Sequence, residues 1–184
     1  MRKWLAIGLL SCGVFTQAWA RLDPTAQDAI AGWNYALLKD DTTGQLTSDA
    51  NLTDAGGRGF MSIGCARVTG RKPAVFILIS PQESLGLDGE PGRITYRVGK
   101  QAPVQSGGTF RKAVWKGQLA TYILPDTAKA LPRMLRTMTE GPSMEVQVSP
   151  KIASLAVQLH FPIGDVKLLY HRIEKDCPGF IKSF

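Results

Sequence analysis

Between residues 60 and 161 the chain is cut by Gly, Pro and Asp into short runs, most of them alternating apolar and polar side chains. Alternation with a period of two puts successive side chains on opposite faces of an extended strand. A series of such runs separated by turn residues predicts an antiparallel sheet or sandwich. The runs are 60–68, 74–80, 93–98, 109–115, 118–124, 144–148 and 152–161, and Trp33–Lys39 adds one nearer the start. In 60–68, Met61, Ile63 and Cys65 share one face. In 93–98, Ile94, Tyr96 and Val98 alternate against Arg93, Thr95 and Arg97. The run 74–80 is apolar throughout up to Ser80, as a central strand covered on both faces would be. Residues 109–115 and 118–124 read as a hairpin around Lys116-Gly117. In 152–161, Leu155, Val157, Leu159 and Phe161 face one way and His160 the other.

Helical signals interrupt this pattern. Asp23-Pro24, an N-cap residue followed by proline, predicts a short helix to Ile30. Residues 40–57, rich in Asp, Thr, Gly and Asn, read as turns. Asp126 is placed to cap a helix reaching Glu140. In it Leu131, Met134, Leu135 and Met138 form one apolar stripe, Pro132 kinks the helix or marks its true start, and Gly141-Pro142 stops it. A last helix over 165–176 carries Val166, Leu169, Tyr170 and Ile173 on one face, and Cys177 extends that stripe by a turn. The predicted class is therefore α+β: mainly an antiparallel β-sheet or sandwich, two packed helices and one disulfide.

The first twenty residues follow a different logic. Met1, Arg2 and Lys3 precede an apolar stretch ending near Phe15, and Ala18-Trp19-Ala20 supplies small residues at the two positions a signal peptidase reads. This is the pattern of a cleavable secretory signal, too short for a stable membrane span. A rival is a lipoprotein signal, with Leu9-Leu10-Ser11-Cys12 as its lipobox. Cleavage after Ala20 leaves 164 residues as a single domain, with a bacterial periplasm as the favoured destination, and lowers the formal charge from +7 to +5. It also leaves two cysteines, Cys65 and Cys177. In an oxidising compartment an even count suggests one disulfide, and both cysteines fall on apolar faces by independent periodicities. Two separate buried thiols are the alternative.

Catalytic motifs do not emerge. Phe60-Met61-Ser62-Ile63-Gly64 lacks the first glycine of a nucleophile elbow, and no H-E-x-x-H, C-x-x-C or S-x-x-K is present. His160 and His171 are the only imidazoles, too few for a multi-histidine metal site, and no pattern calls for a cofactor. The charge is uneven. Residues 21–56 sum to −4 and residues 57–184 to +9. Arg67, Arg71 and Lys72 cluster at one turn, Arg93 and Arg97 lie on one strand, and Arg111 and Lys112 on another. An exported basic surface points to an envelope protein or an anionic cell-surface polymer and away from nucleic acid.

Several short pieces recur in a set order: Ser62-Ile63-Gly64-Cys65-Ala66-Arg67, the strand Ile94-Thr95-Tyr96-Arg97-Val98, an apolar helix near Leu131 to Met138, then Phe161-Pro162-Ile163-Gly164, a helix and Cys177. Their order resembles the exported TagO/VasI-type proteins associated with bacterial type VI secretion. Where such proteins often carry an acid after the Tyr-Arg-Val strand, Gly99 stands here. The resemblance implies Cys65–Cys177 pairing and an accessory, non-catalytic part in an envelope machine, and it carries over no catalytic residue. The expectation is thus a non-enzymatic periplasmic binding protein using its basic strands. The alternatives are an inhibitor or immunity-type protein that inserts loop 86–92 or 40–57 into a toxin or wall hydrolase, and an enzyme using His160 or His171.

Overall fold

The computed structural model describes residues 23–68, 70–115, 118–126, 129–150 and 155–184. The proposed signal, with Cys12, lies outside them. In chain order the elements are β1 (Asp23–Ile30), β2 (Trp33–Lys39), β3 (Leu46–Thr53), β4 (Gly59–Arg67), β5 (Ala74–Pro81), β6 (Pro91–Val98), β7 (Val104–Trp115), β8 (Gln118–Pro125), α1 (Ala130–Met138), β9 (Met144–Pro150), β10 (Val157–Phe161) and α2 (Val166–Asp176). The strands form one ten-stranded sheet in the order β1-β2-β3-β4-β5-β8-β7-β6-β9-β10, with every pairing antiparallel. Its two halves, β1 to β5 on one side and β8, β7, β6, β9 and β10 on the other, meet where β5 runs beside β8, with Ile79 opposite Ile123 and the Ser80 hydroxyl donating to the Thr121 carbonyl at 2.8 Å.

One face of this sheet carries the core. Tyr35, Ala50, Ile63, Ile77, Ile94, Val146 and Leu159 come from seven strands, and all pack in one buried cluster with the apolar stripes of both helices. Tyr170 of α2 donates its hydroxyl to the Leu135 carbonyl of α1 at 2.9 Å, fixing the helices against each other. The sheet curls around them until its halves touch. The Trp33 indole donates to the Ile163 carbonyl at 3.0 Å, and the Ala55 amide donates to the His160 carbonyl at 2.8 Å. Cys65 and Cys177 form the disulfide, which ties β4 to the end of α2 across a sequence separation of 112.

The helix expected from Asp23 is a strand instead. Ala31 and Gly32 both adopt positive φ, 51° and 89°. Two consecutive residues of that kind make the tight turn that suits a right-twisted hairpin, so residues 23–30 fold back along β2, from Ile30 opposite Trp33 to Asp23 opposite Lys39. A helix this short has too few internal hydrogen bonds to compete. Pro24 is tolerated because β1 is an edge strand and its ladder shifts register there.

Residues 40–57 are not all turn. β3 lies within them, paired on both sides with β2 and β4. Its composition is polar, but Ala50 and Leu52 face the core, and pairing on both edges satisfies its backbone. The turn chemistry holds at its flanks, where the Asp40 carboxylate accepts from the Thr42 amide at 2.9 Å. Gly64 has a separate constraint. A Cβ there would fall 2.2 Å from the Ser48 carbonyl oxygen and 2.4 Å from the Phe76 ring, so only glycine lets that ring lie across β4.

α1 begins later than expected. Asp126 is not its cap; the Asp126 carbonyl accepts from the Ala130 and Leu131 amides, Lys129 stands at the N-cap position without a side-chain bond, and residues 127 and 128 lie outside those described. Pro132 therefore falls in the first turn, where its missing N–H costs nothing. β10 is also shorter than predicted, starting at Val157. Leu155 is 67% exposed and does not share the buried face of Val157, Leu159 and Phe161. The tip of the β7–β8 hairpin, Lys116-Gly117, lies outside the described residues.

Candidate functional site

The outer face of β6, β9 and β10 is polar for a registry reason. Arg97 pairs with Glu145 and Glu145 with His160 across the three strands. In the next row on that face Thr95 pairs with Gln147 and Gln147 with Gln158. Side chains directly opposite on neighbouring strands stand roughly 5 Å apart at Cβ, so two rows of donors and acceptors lie in contact range. Arg97 holds Glu145 through both Nε and Nη2, at 2.8 and 2.7 Å. The pair is half-exposed and contributes little to stability.

The β3–β4 turn builds one wall over this face. The Asp54 carboxylate is buried and accepts from the amides of Gly56 at 2.9 Å and Arg58 at 3.1 Å, closing the turn. It also accepts from the His160 amide. With the bond from Ala55 to the His160 carbonyl, both backbone groups of His160 are held by the turn. The result is a groove of about 530 Å³ between residues 54–58 and the outer face of β6, β9 and β10. Arg58 stands on its rim and pairs with Glu83 at 2.9 Å, which holds the Glu83 carboxyl below its ordinary range. The amides of Gln147 and Gln158 point into the groove region with no hydrogen bond to the protein among the described residues.

The predicted basic residues do not gather into one face. Arg67, Arg71 and Lys72 lie at the end of β4 and in the turn after it, Arg93 and Arg97 on the outer face of β6. β5, β8 and β7 separate these strands, a lateral distance of about 19 Å. Arg111 and Lys112 are successive on β7 and point to opposite faces. Only Arg97 of the seven lines the groove. Lys112 lines a second hollow of about 410 Å³ with Leu85, Leu87, Glu90 and Pro150.

His160 lines the groove and His171 does not; His171 is exposed on α2. Loop 86–92 is tied down, since the Lys112 amide donates to Asp88 at 3.1 Å and the Leu87 amide to Glu90 at 2.9 Å. Asp54, Arg58, Gln147 and Gln158 had no motif to announce them. The alternation of 144–148 and 152–161 shows that Gln147 and Gln158 face away from the core, but only the strand register puts them side by side. Among the described residues no group of three or more His, Cys, Asp or Glu is placed to hold a metal ion, and no helix is long and apolar enough to cross a membrane. Compared with protein-family models, with curated proteins and with solved structures, the chain gives no match.

Proposed function

We propose that the chain is an exported, non-enzymatic binding protein of the bacterial envelope that captures a partner protein in the groove beside the β3–β4 turn. The observation that carries this reading is the groove itself: unengaged amides of Gln147 and Gln158 on a rigid sheet, beside the fixed Arg97–Glu145 pair. Polar groups pre-arranged on strands bind at a low entropic cost. The leading apolar segment and the disulfide support export. An accessory role beside a secretion machine follows the TagO/VasI resemblance. A photo-crosslinking side chain in place of Gln158, activated in intact envelopes, should trap one discrete partner. The same side chain in place of exposed Gln27 on β1 should trap none, and Gln147→Trp, which fills the groove, should abolish the adduct. Equal adducts from both positions would sink the proposal.

Acid–base chemistry by His160 is the second reading, favoured by its place opposite Glu145 in the groove. Imidazole beside carboxylate is a usable pair, although Arg97 already engages that carboxylate. An inhibitor role through loops 86–92 or 40–57 has less support, because β3 occupies much of the second and hydrogen bonds anchor the first.

A further inference from the structure

The outward arc of α2 carries the lysines Lys167 and Lys175 with exposed Leu168 between Lys175 and Arg172. At about 100° per residue, Lys167, His171, Lys175, Leu168 and Arg172 fill a continuous arc of about 140°, and no carboxylate falls within it. The opposite side of the helix is the buried stripe of Val166, Leu169, Tyr170 and Ile173. Leu168, in the middle of the charged arc, is 55% exposed. Arg172 lies over the Tyr35 ring at 4.9 Å, which holds that end of the arc in place.

The disulfide brings the end of α2 beside the end of β4, where a second basic cluster, distant in sequence, begins. It holds the Cα atoms of Cys65 and Cys177 6.3 Å apart. Arg67 follows Cys65 by two residues and Lys175 precedes Cys177 by two. Pro73, in the turn carrying Arg71 and Lys72, lies near Gly179, where an added Cβ would fall 3.7 Å from its ring, and exposed Lys182 follows in the final 3-10 helix, Ile181–Ser183. The neighbouring acids accept hydrogen bonds: Asp165 from the Lys167 amide at 3.1 Å, Glu174 from the amides of Gly179 and Ile181 at 2.9 and 2.8 Å, and Asp176 from the Tyr35 hydroxyl, with Arg172 as its ion-pair partner. Lys167, Lys175, Lys182, Arg71 and Lys72 form no ion pair among the described residues.

We propose that this disulfide-bonded end docks on the anionic headgroups of a phospholipid bilayer, with α2 along the surface and Leu168 entering the headgroup boundary. A helix face that mixes lysines with an exposed leucine suits a lipid surface, where charge and apolar contact are both rewarded. An acidic protein or a carboxylate polymer would reward only the charge. The docking is independent of the groove, which lies on the outer face of β6, β9 and β10.

The oxidised protein purified from the periplasm should sediment with phosphatidylglycerol-containing vesicles and not with pure phosphatidylcholine vesicles, and added salt should release it. Lys167→Gln with Lys175→Gln should weaken binding about 25-fold, at about fivefold per lysine near the surface. Leu168→Ser should weaken it about tenfold while leaving the salt dependence unchanged. All three positions are exposed, so the melting temperature should stay at the wild-type value, and an apolar leader, if retained, would be common to every variant. Equal binding to neutral vesicles, wild-type binding by the double lysine variant, or wild-type binding by Leu168→Ser would each overturn the proposal. Capture on polyglutamate without vesicle binding would overturn it too and assign the patch to an acidic protein.

Discussion

Asp49 is a carboxylate buried within the sheet. It sits on the outer face of β3, 1% exposed, between a hydrogen bond from Ser62 and one from Asn51 at 2.7 Å. Burial pushes its carboxyl up to about 6, against the lowering effect of those two bonds. The folded protein therefore binds this proton more tightly than the unfolded chain does. Below about pH 4 the group is neutral in both states and costs nothing; as pH rises through about 6 the folded state must hold a buried charge. Wild-type stability should fall by about 2 to 3 kcal/mol between pH 4 and pH 7.5 from this group. Asp49→Asn should remove that slope and be the more stable protein at pH 7.5, by denaturant titration at several pH values. A wild-type slope that survives the substitution would assign it to other groups. Nothing in the order of residues 47–51 announces this burial. The polar run looks like a turn until β2 and β4 close on either side of it.

At the scale of elements, the β3–β4 turn is where the two halves of the sheet are tied together. The Asp54 carboxylate serves three backbone amides, two in its own turn and one on β10. Asp54→Ala would strand three part-buried donors, one of them at the seam with β10, at a cost of about 3 kcal/mol. It should also free residues 54–58, so hydrogen exchange should speed up at His160 and Arg58 before it does in β4 or β5. Unchanged exchange at His160 would show that the Ala55 bond alone holds the seam. The core faces of β4 and β6 and the stripes of α1 and α2 were legible from spacing, because each is a local consequence of period two or 3.6. β1 was not: an Asp-Pro helix start and a hairpin strand look alike locally, and the Ala31-Gly32 turn with its partner strand decided between them. Gly56 reads as a turn residue and is, while Gly59 opens β4; how residues 54–58 meet β10 depends on how far the sheet curls.

For the molecule as a whole, the disulfide closes the largest loop and fastens the helix layer to the sheet. Closing a loop with a sequence separation of 112 in the unfolded chain stabilises the fold by about 4 to 5 kcal/mol. Cys65→Ser with Cys177→Ser should lower Tm by about 10 °C or more, and intact mass after alkylation should show neither cysteine free until the protein is reduced. A Tm unchanged on reduction would mean that core packing alone holds α2. The strand alternation, the helix stripes, the apolar faces on which Cys65 and Cys177 fall and the charge imbalance between the first stretch and the rest are properties of the sequence by itself, since each needs only the order of nearby residues. The strand order, which puts β8 beside β5 and β6 between β7 and β9, belongs to the tertiary structure. So do the groove at the seam and the approach of the β4–β5 turn to the end of α2. These depend on contacts between residues about a hundred positions apart, and such contacts are selected by how the whole core packs, which no local pattern encodes.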